Sequence, residues 1–132
     1  MTPQQQAQNA IEWIDELPNG KQAPMGKRAK LGNALDGFCC IGYGCHIFGV
    51  SRDGTAYVDQ AAYETFSDLV GLYGCLGEFE GTTKDCRTLA RLNDRTEIGF
   101  QGISDLMRTK PHWMFKPEVA ELIAAHYKGK EL

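Results

Sequence analysis

The chain has 132 residues, 42% of them hydrophobic and 23% charged, with a formal net charge of −3. That suits one globular domain, residues 1–132, large enough to bury a core without disulfides or a metal. The composition excludes collagen, a coiled coil, a disordered chain and a porin, and the slightly acidic balance lacks the basic footprint of a protein that binds long nucleic acid.

The first helix is predicted to start at Thr2, a candidate N-cap, with Pro3 at the first helical position and Gln5 completing a capping box. Ala7, Ala10, Ile11, Ile14 and Leu17 follow at helical spacing, and Pro18-Asn19-Gly20 stops the run. Residues 20–37 are rich in glycine and basic side chains and read as a loop, with a short strand or helical turn near Leu31 to Leu35. A second helix is expected from Phe38 to Phe48, with Phe38, Ile41, Cys45 and Phe48 on one face. Asp36-Gly37 makes the turn before it and Gly49 ends it. Thr55 to Val58 reads as a short strand. Asp59 then caps a third helix that turns Ala62, Tyr63, Phe66, Leu69, Val70 and Tyr73 inward. Gly74, Gly77 and Gly81 break the next stretch. Short helices are expected over Cys86–Leu92 and over Phe100–Met107, the latter with Phe100, Ile103 and Met107 inward. A last helix opens at Pro117 and runs to Tyr127, closed by Lys128-Gly129. The fold class is therefore mainly α, with at most a few short strands.

The N-terminal stretch MTPQQQAQNA has neither the basic nor the apolar region of a secretory signal. The longest uncharged run, Gly37 to Ser51, is too short and too glycine-broken to span a bilayer. The cysteine number is odd, 5 in all, and Cys39 and Cys40 are adjacent, so a disulfide framework is not indicated. These features fit a reduced, cytosolic protein with no membrane partner.

Charge is unevenly placed. Lys21, Lys27, Arg28 and Lys30 cluster without an acidic neighbour, whereas residues 53–83 carry only acidic charges. The basic cluster reads either as an anion site or as a solvated loop docked against the acidic segment. Asp36-Gly37-Phe38 puts a glycine before an expected helix N-terminus. Backbone N–H groups there attract phosphate or carboxylate; the alternative is that Gly37 serves only a turn. No Walker A or GxGxxG pattern accompanies it. Arg87, Arg91 and Arg95 recur every fourth residue, as a phosphate-binding or a salt-bridged stripe. In Leu92-Asn93-Asp94, Asn93 or Asp94 either caps a turn or reads a ribose or base edge.

Cys39, Cys40, Cys45 and His46 lack the spacing zinc needs on a helix, and GFCCIGYGC is too apolar for a reactive thiol. The cysteines are therefore expected to be buried small hydrophobes. His46, His112 and His126 read as satisfied or surface side chains. Trp113-Met114-Phe115 is either core or an oligomer contact. No Ser/His/Asp set, carboxylate pair or metal spacing stands out, so neither an enzyme nor a cofactor is expected.

The order of motifs resembles a widespread family of small bacteriophage accessory proteins. The likeness runs over residues 11–108 and rests on Trp13 with Leu17, Asn19-Gly20-Lys21, Phe38-Cys39-Cys40-Ile41-Gly42, Leu69-Val70-Gly71-Leu72, Leu89-Ala90-Arg91-Leu92-Asn93-Asp94 and Phe100-Gln101-Gly102-Ile103. Gly99 stands where the family has serine, Gln22 where it has tyrosine, and the loop from Ala23 to Lys30 departs from its pattern. The resemblance implies a phage protein made in the host bacterial cytoplasm. That setting, more than any activity, is what the resemblance implies; small non-structural phage proteins in general often counter host defence, some by binding nucleotide immune signals in pockets between subunits. Together with the polar clusters, this gives the expectation of a homo-oligomer that sequesters an anionic, nucleotide-like ligand. The residues expected to hold it are Lys21, Lys27, Arg28, Lys30, Phe38, Arg91, Asn93 and Asp94. The alternative is an inhibitor of a host protein that docks through the acidic 53–83 face and the Trp113–Phe115 patch.

Overall fold

A computed structural model describes residues 1–23, 32–33, 37–51, 59–73 and 98–130. Helix α1 covers Pro3–Glu16 and carries the expected capping box: Thr2 accepts from the Gln5 N–H while the Gln5 side chain accepts from the Thr2 N–H. A 3₁₀ turn, Leu17–Asn19, ends it. Strands β1 (Gly32–Asn33) and β2 (Gly37–Phe38) pair antiparallel, with Gly32 opposite Phe38. Helix α2 is Cys40–Phe48, α3 is Gln60–Val70, α4 is Phe100–Thr109 and α5 is Pro117–Lys130, with a 3₁₀ turn at Pro111–Trp113 between the last two. The architecture is mainly helical, with one small sheet among the described residues, as the periodicity implied. None of the described helices is long and apolar enough to cross a membrane.

The core is built around α1. It packs against α3 and α5, and Trp13, Ile14 and Leu17 are fully buried among Phe66, Ile103, Met107, Phe115 and Ile123. The Trp13 ring meets Phe66 edge-on at 4.8 Å and Phe115 at 6.3 Å, the geometry favoured by ring quadrupoles. Its indole N–H donates to the Cys40 carbonyl at 3.1 Å, which ties α2 to α1. The last turn of α3 leaves carbonyls without intrahelical partners, and α1 supplies them. Gln6 Nε2 donates to the Asp68 carbonyl at 2.8 Å, and Asn9 Nδ2 to the Leu69 carbonyl at 2.9 Å. Pro18 has no N–H to give the Ile14 carbonyl. The buried Ser104 hydroxyl donates to that carbonyl instead, at 2.7 Å.

Several sequence expectations are corrected. Helix α2 begins at Cys40 rather than Phe38, because Phe38 belongs to β2 and Cys39 provides the cap, its Sγ accepting from the Gly42 N–H at 3.2 Å. Helix α3 stops at Val70, where Gly71 turns left-handed (φ 70°), so Tyr73 is not on its inner face. Tyr73 instead donates its N–H to the Met114 carbonyl at 2.8 Å, and Lys116 donates to Gly71 at 2.8 Å, joining the end of α3 to the start of α5. Helix α5 continues through Lys128-Gly129 to Lys130. The expected strand at Thr55 to Val58 and helix at Cys86–Leu92 lie outside the described residues, as do Gly74, Gly77 and Gly81.

Candidate functional site

Three sequence-distant stretches carry the candidate polar residues: the one after Gly20, the one before α2 and the one before α4. Their described ends meet. Residues 21–23 run alongside β2, with Gln22 opposite Phe38 in a parallel bridge. The Phe38 N–H donates to the Lys21 carbonyl at 2.8 Å, and the Ala23 N–H donates to the Phe38 carbonyl at 3.0 Å. Gln22 Nε2 then donates across to the Ile98 carbonyl at 3.2 Å, two residues before α4. Gly37 makes the close approach possible. Its φ is +98°, and a Cβ there would stand 2.7 Å from the Ala23 nitrogen; only glycine adopts that backbone freely.

A run of rings fills the junction. Phe100, the first residue of α4, lies 5.9 Å from Tyr43 of α2. Tyr43 lies 5.5 Å from Phe38, and His46 lies 5.0 Å from Phe38 and 6.2 Å from Tyr43, at 34° and 26° to their planes. Phe38 and Phe100 are buried, Tyr43 is half-buried and His46 is exposed. Gly20 seats the tyrosine, since a Cβ at that position would come within 2.7 Å of the Tyr43 ring. Burial pushes the Tyr43 hydroxyl above its ordinary pKa, and the Glu16 carboxylate adds to the shift.

Of the eight sequence-predicted site residues, Lys21 and Phe38 fall within the described residues: Lys21 is exposed and Phe38 is a buried member of the ring stack. Lys27, Arg28, Lys30, Arg91, Asn93 and Asp94 lie outside them, together with the arginine stripe at Arg87 and Arg95. Phe38 does not open a helix toward an anion, because its N–H is engaged by Lys21. Sequence reasoning missed Gln22 as the strap to Ile98 and gave Tyr43 no role. The i, i+3 spacing of Tyr43 and His46 on α2 was the available signal.

The cysteines behave as the apolar motif implied wherever they are described. Cys39, Cys40 and Cys45 are buried thiols outside any disulfide, and among the described residues no group of His, Cys, Asp and Glu could hold a metal. Cys75 and Cys86 lie outside the described residues. Met114 and Phe115 are fully buried, so the Trp113–Phe115 patch belongs to the core; Trp113 alone is half-buried, with Lys110 Nζ 4.1 Å from its ring centre. Of the apolar part of the expected protein-docking face, Trp113 remains partly exposed. Two surface hollows lie away from the ring stack. One is bounded by Pro3, Gln6, Tyr73 and the start of α5, the other by the end of α2 and one side of α3.

Comparison of the chain with protein-family models, with curated proteins and with solved structures finds no match.

Proposed function

We propose that the protein binds and sequesters an anionic, nucleotide-like small molecule. In this reading it is a phage-encoded homo-oligomer that withholds an immune signal in the host bacterial cytoplasm and carries out no chemistry on it. Lys21, Lys27, Arg28 and Lys30 supply charge for phosphate, Arg91 adds a forked guanidinium, and Asn93 and Asp94 offer an amide and a carboxylate to a ribose or base edge.

The observation that carries the reading is the Gln22–Ile98 hydrogen bond beside the Lys21–Phe38 pairing. It ties the stem of the basic loop to the stem of the Leu-Asn-Asp segment. Chain reach then sets the scale: each residue spans at most ~3.5 Å. Asp94, four residues before Ile98, is therefore tethered within about 14 Å of it. Lys27, four residues after Ala23, is tethered within the same reach of Ala23.

Isothermal titration against cyclic nucleotides and ADP-ribose isomers tests the proposal. Saturable binding of at least one member is expected, with the ligand recovered unchanged after denaturation. Native mass spectrometry should show an oligomer. An absence of heat across the whole panel refutes the ligand reading, and a strictly monomeric mass refutes the assembly.

A further inference from the structure

We propose that His46, backed by Phe38 and Tyr43, is the platform on which the planar base of the nucleotide ligand stacks; the assignment deepens the reading above and rests on it. The imidazole is exposed, yet it is not loose. Its ring centre lies 5.0 Å from that of Phe38 and 6.2 Å from that of Tyr43. Behind it the stack is anchored at depth: Phe38 is held in β2, Tyr43 is seated on Gly20, and Phe100 closes the run at the start of α4.

Such a ring is preorganised. A base that lands on it orders no side chain that the fold has not already ordered, and stacking is tolerant of base identity because every base has a π-face. Position favours a nucleotide over an aromatic side chain of a protein. Ala23 is bonded through its N–H to the carbonyl of Phe38, whose ring lies 5.0 Å from that of His46. In sequence, Lys27, Arg28 and Lys30 follow Ala23 by four to seven residues, so the charge that would meet the phosphates of such a ligand is carried by the chain next to this junction. Tyr43 and Phe38 act through His46 as positioning residues.

The test titrates wild type, His46→Ala and His46→Phe with ADP-ribose and with inorganic pyrophosphate, which carries the charge but no base. The His46 ring protons are followed by NMR in the wild type. Loss of one stacking partner should weaken ADP-ribose binding roughly tenfold in His46→Ala, leave pyrophosphate binding unchanged, and be largely restored in His46→Phe. Upfield ring-current shifts of the His46 protons should accompany ADP-ribose and not pyrophosphate. Unchanged ADP-ribose affinity in His46→Ala, or an equal loss for both ligands, overturns the platform while leaving the anion-binding reading intact. A response of the His46 protons to N-acetyl-tryptophanamide equal to that to ADP-ribose overturns it in favour of a peptide-binding face. Where ADP-ribose is silent, the cyclic nucleotide or ADP-ribose isomer that binds takes its place in the same comparison, and silence of the wild type across that whole panel removes the platform together with the reading beneath it.

Discussion

Gly44 is the residue on which the packing of α2 can be tested most sharply. A helix interior ordinarily gains about 1 kcal/mol when glycine becomes alanine. Here the surroundings oppose that gain. A Cβ at Gly44 would stand 2.3 Å from one Phe66 ring carbon, 2.4 Å from a second and 3.0 Å from Trp13 Nε1. Carbon atoms pack best at ~3.5–4.0 Å, so the Phe66 ring would have to withdraw by more than about 1 Å. It has nowhere to go, being fully buried with Trp13 edge-on at 4.8 Å. Moving Trp13 in turn strains its bond to the Cys40 carbonyl. Overpacking of this kind costs up to ~3 kcal/mol, and after the propensity gain Gly44→Ala should destabilise by about 2 kcal/mol. For a domain of this length that is a fall in Tm of roughly 6–8 °C. Gly129→Ala is the control, because its Cβ meets nothing within 4 Å in helix α5. Thermal melts followed by far-ultraviolet circular dichroism should show Gly44→Ala less stable than wild type and Gly129→Ala equal or more stable. A neutral or stabilising Gly44→Ala would refute the close seat of α2 on Phe66.

Two further predictions concern buried polar groups. Ser104→Ala leaves the Ile14 carbonyl without its hydroxyl donor in the core, where Pro18 offers no N–H. Urea unfolding should show a loss of about 2 kcal/mol; a loss below the error of the measurement would count against that role. Tyr127 is held protonated, chiefly by burial and then by its hydrogen bond of 2.7 Å to Asp15. Its hydroxyl therefore titrates above the ordinary tyrosine value of about 10. The raised pKa gives a stabilisation that is complete below about pH 10 and is lost as pH rises toward the folded-state pKa. Wild-type stability should fall more steeply above about pH 10 than that of Tyr127→Phe, with ultraviolet absorbance of the phenolate reporting the late ionisation; parallel pH profiles would overturn it.

Part of the candidate site was legible before any fold was known. Lys21 was selected from charge and Phe38 as an expected helix N-terminus, and both lie at the junction of the three stretches. Their roles were not legible. Phe38 read as the start of a helix because Phe38, Ile41, Cys45 and Phe48 have helical spacing. A strand residue directly before a helix satisfies the same pattern, and only the partner strand reveals the difference. Gln22 gave no signal, since its one informative bond goes to a carbonyl 76 residues away. His46 looked like any surface histidine until the rings behind it were placed.

What the sequence determined by itself was local. The capping box at Thr2 and Gln5, the Asp59 cap, Gly49 at the end of α2 and Pro117 at the start of α5 could be read directly. Each is set by side chains within a turn of the backbone groups they satisfy. The mainly α class followed from the same short-range periodicity. Tertiary structure decided everything that depends on groups far apart in the chain. It gave the Ile14 carbonyl to Ser104, the Trp13 indole to Cys40 and the Ile98 carbonyl to Gln22, and it turned Trp113–Phe115 mostly inward. The physical reason is burial: once water is excluded, each of these polar groups must find a partner and each ring a seat, and only the packed chain decides which distant residue provides it.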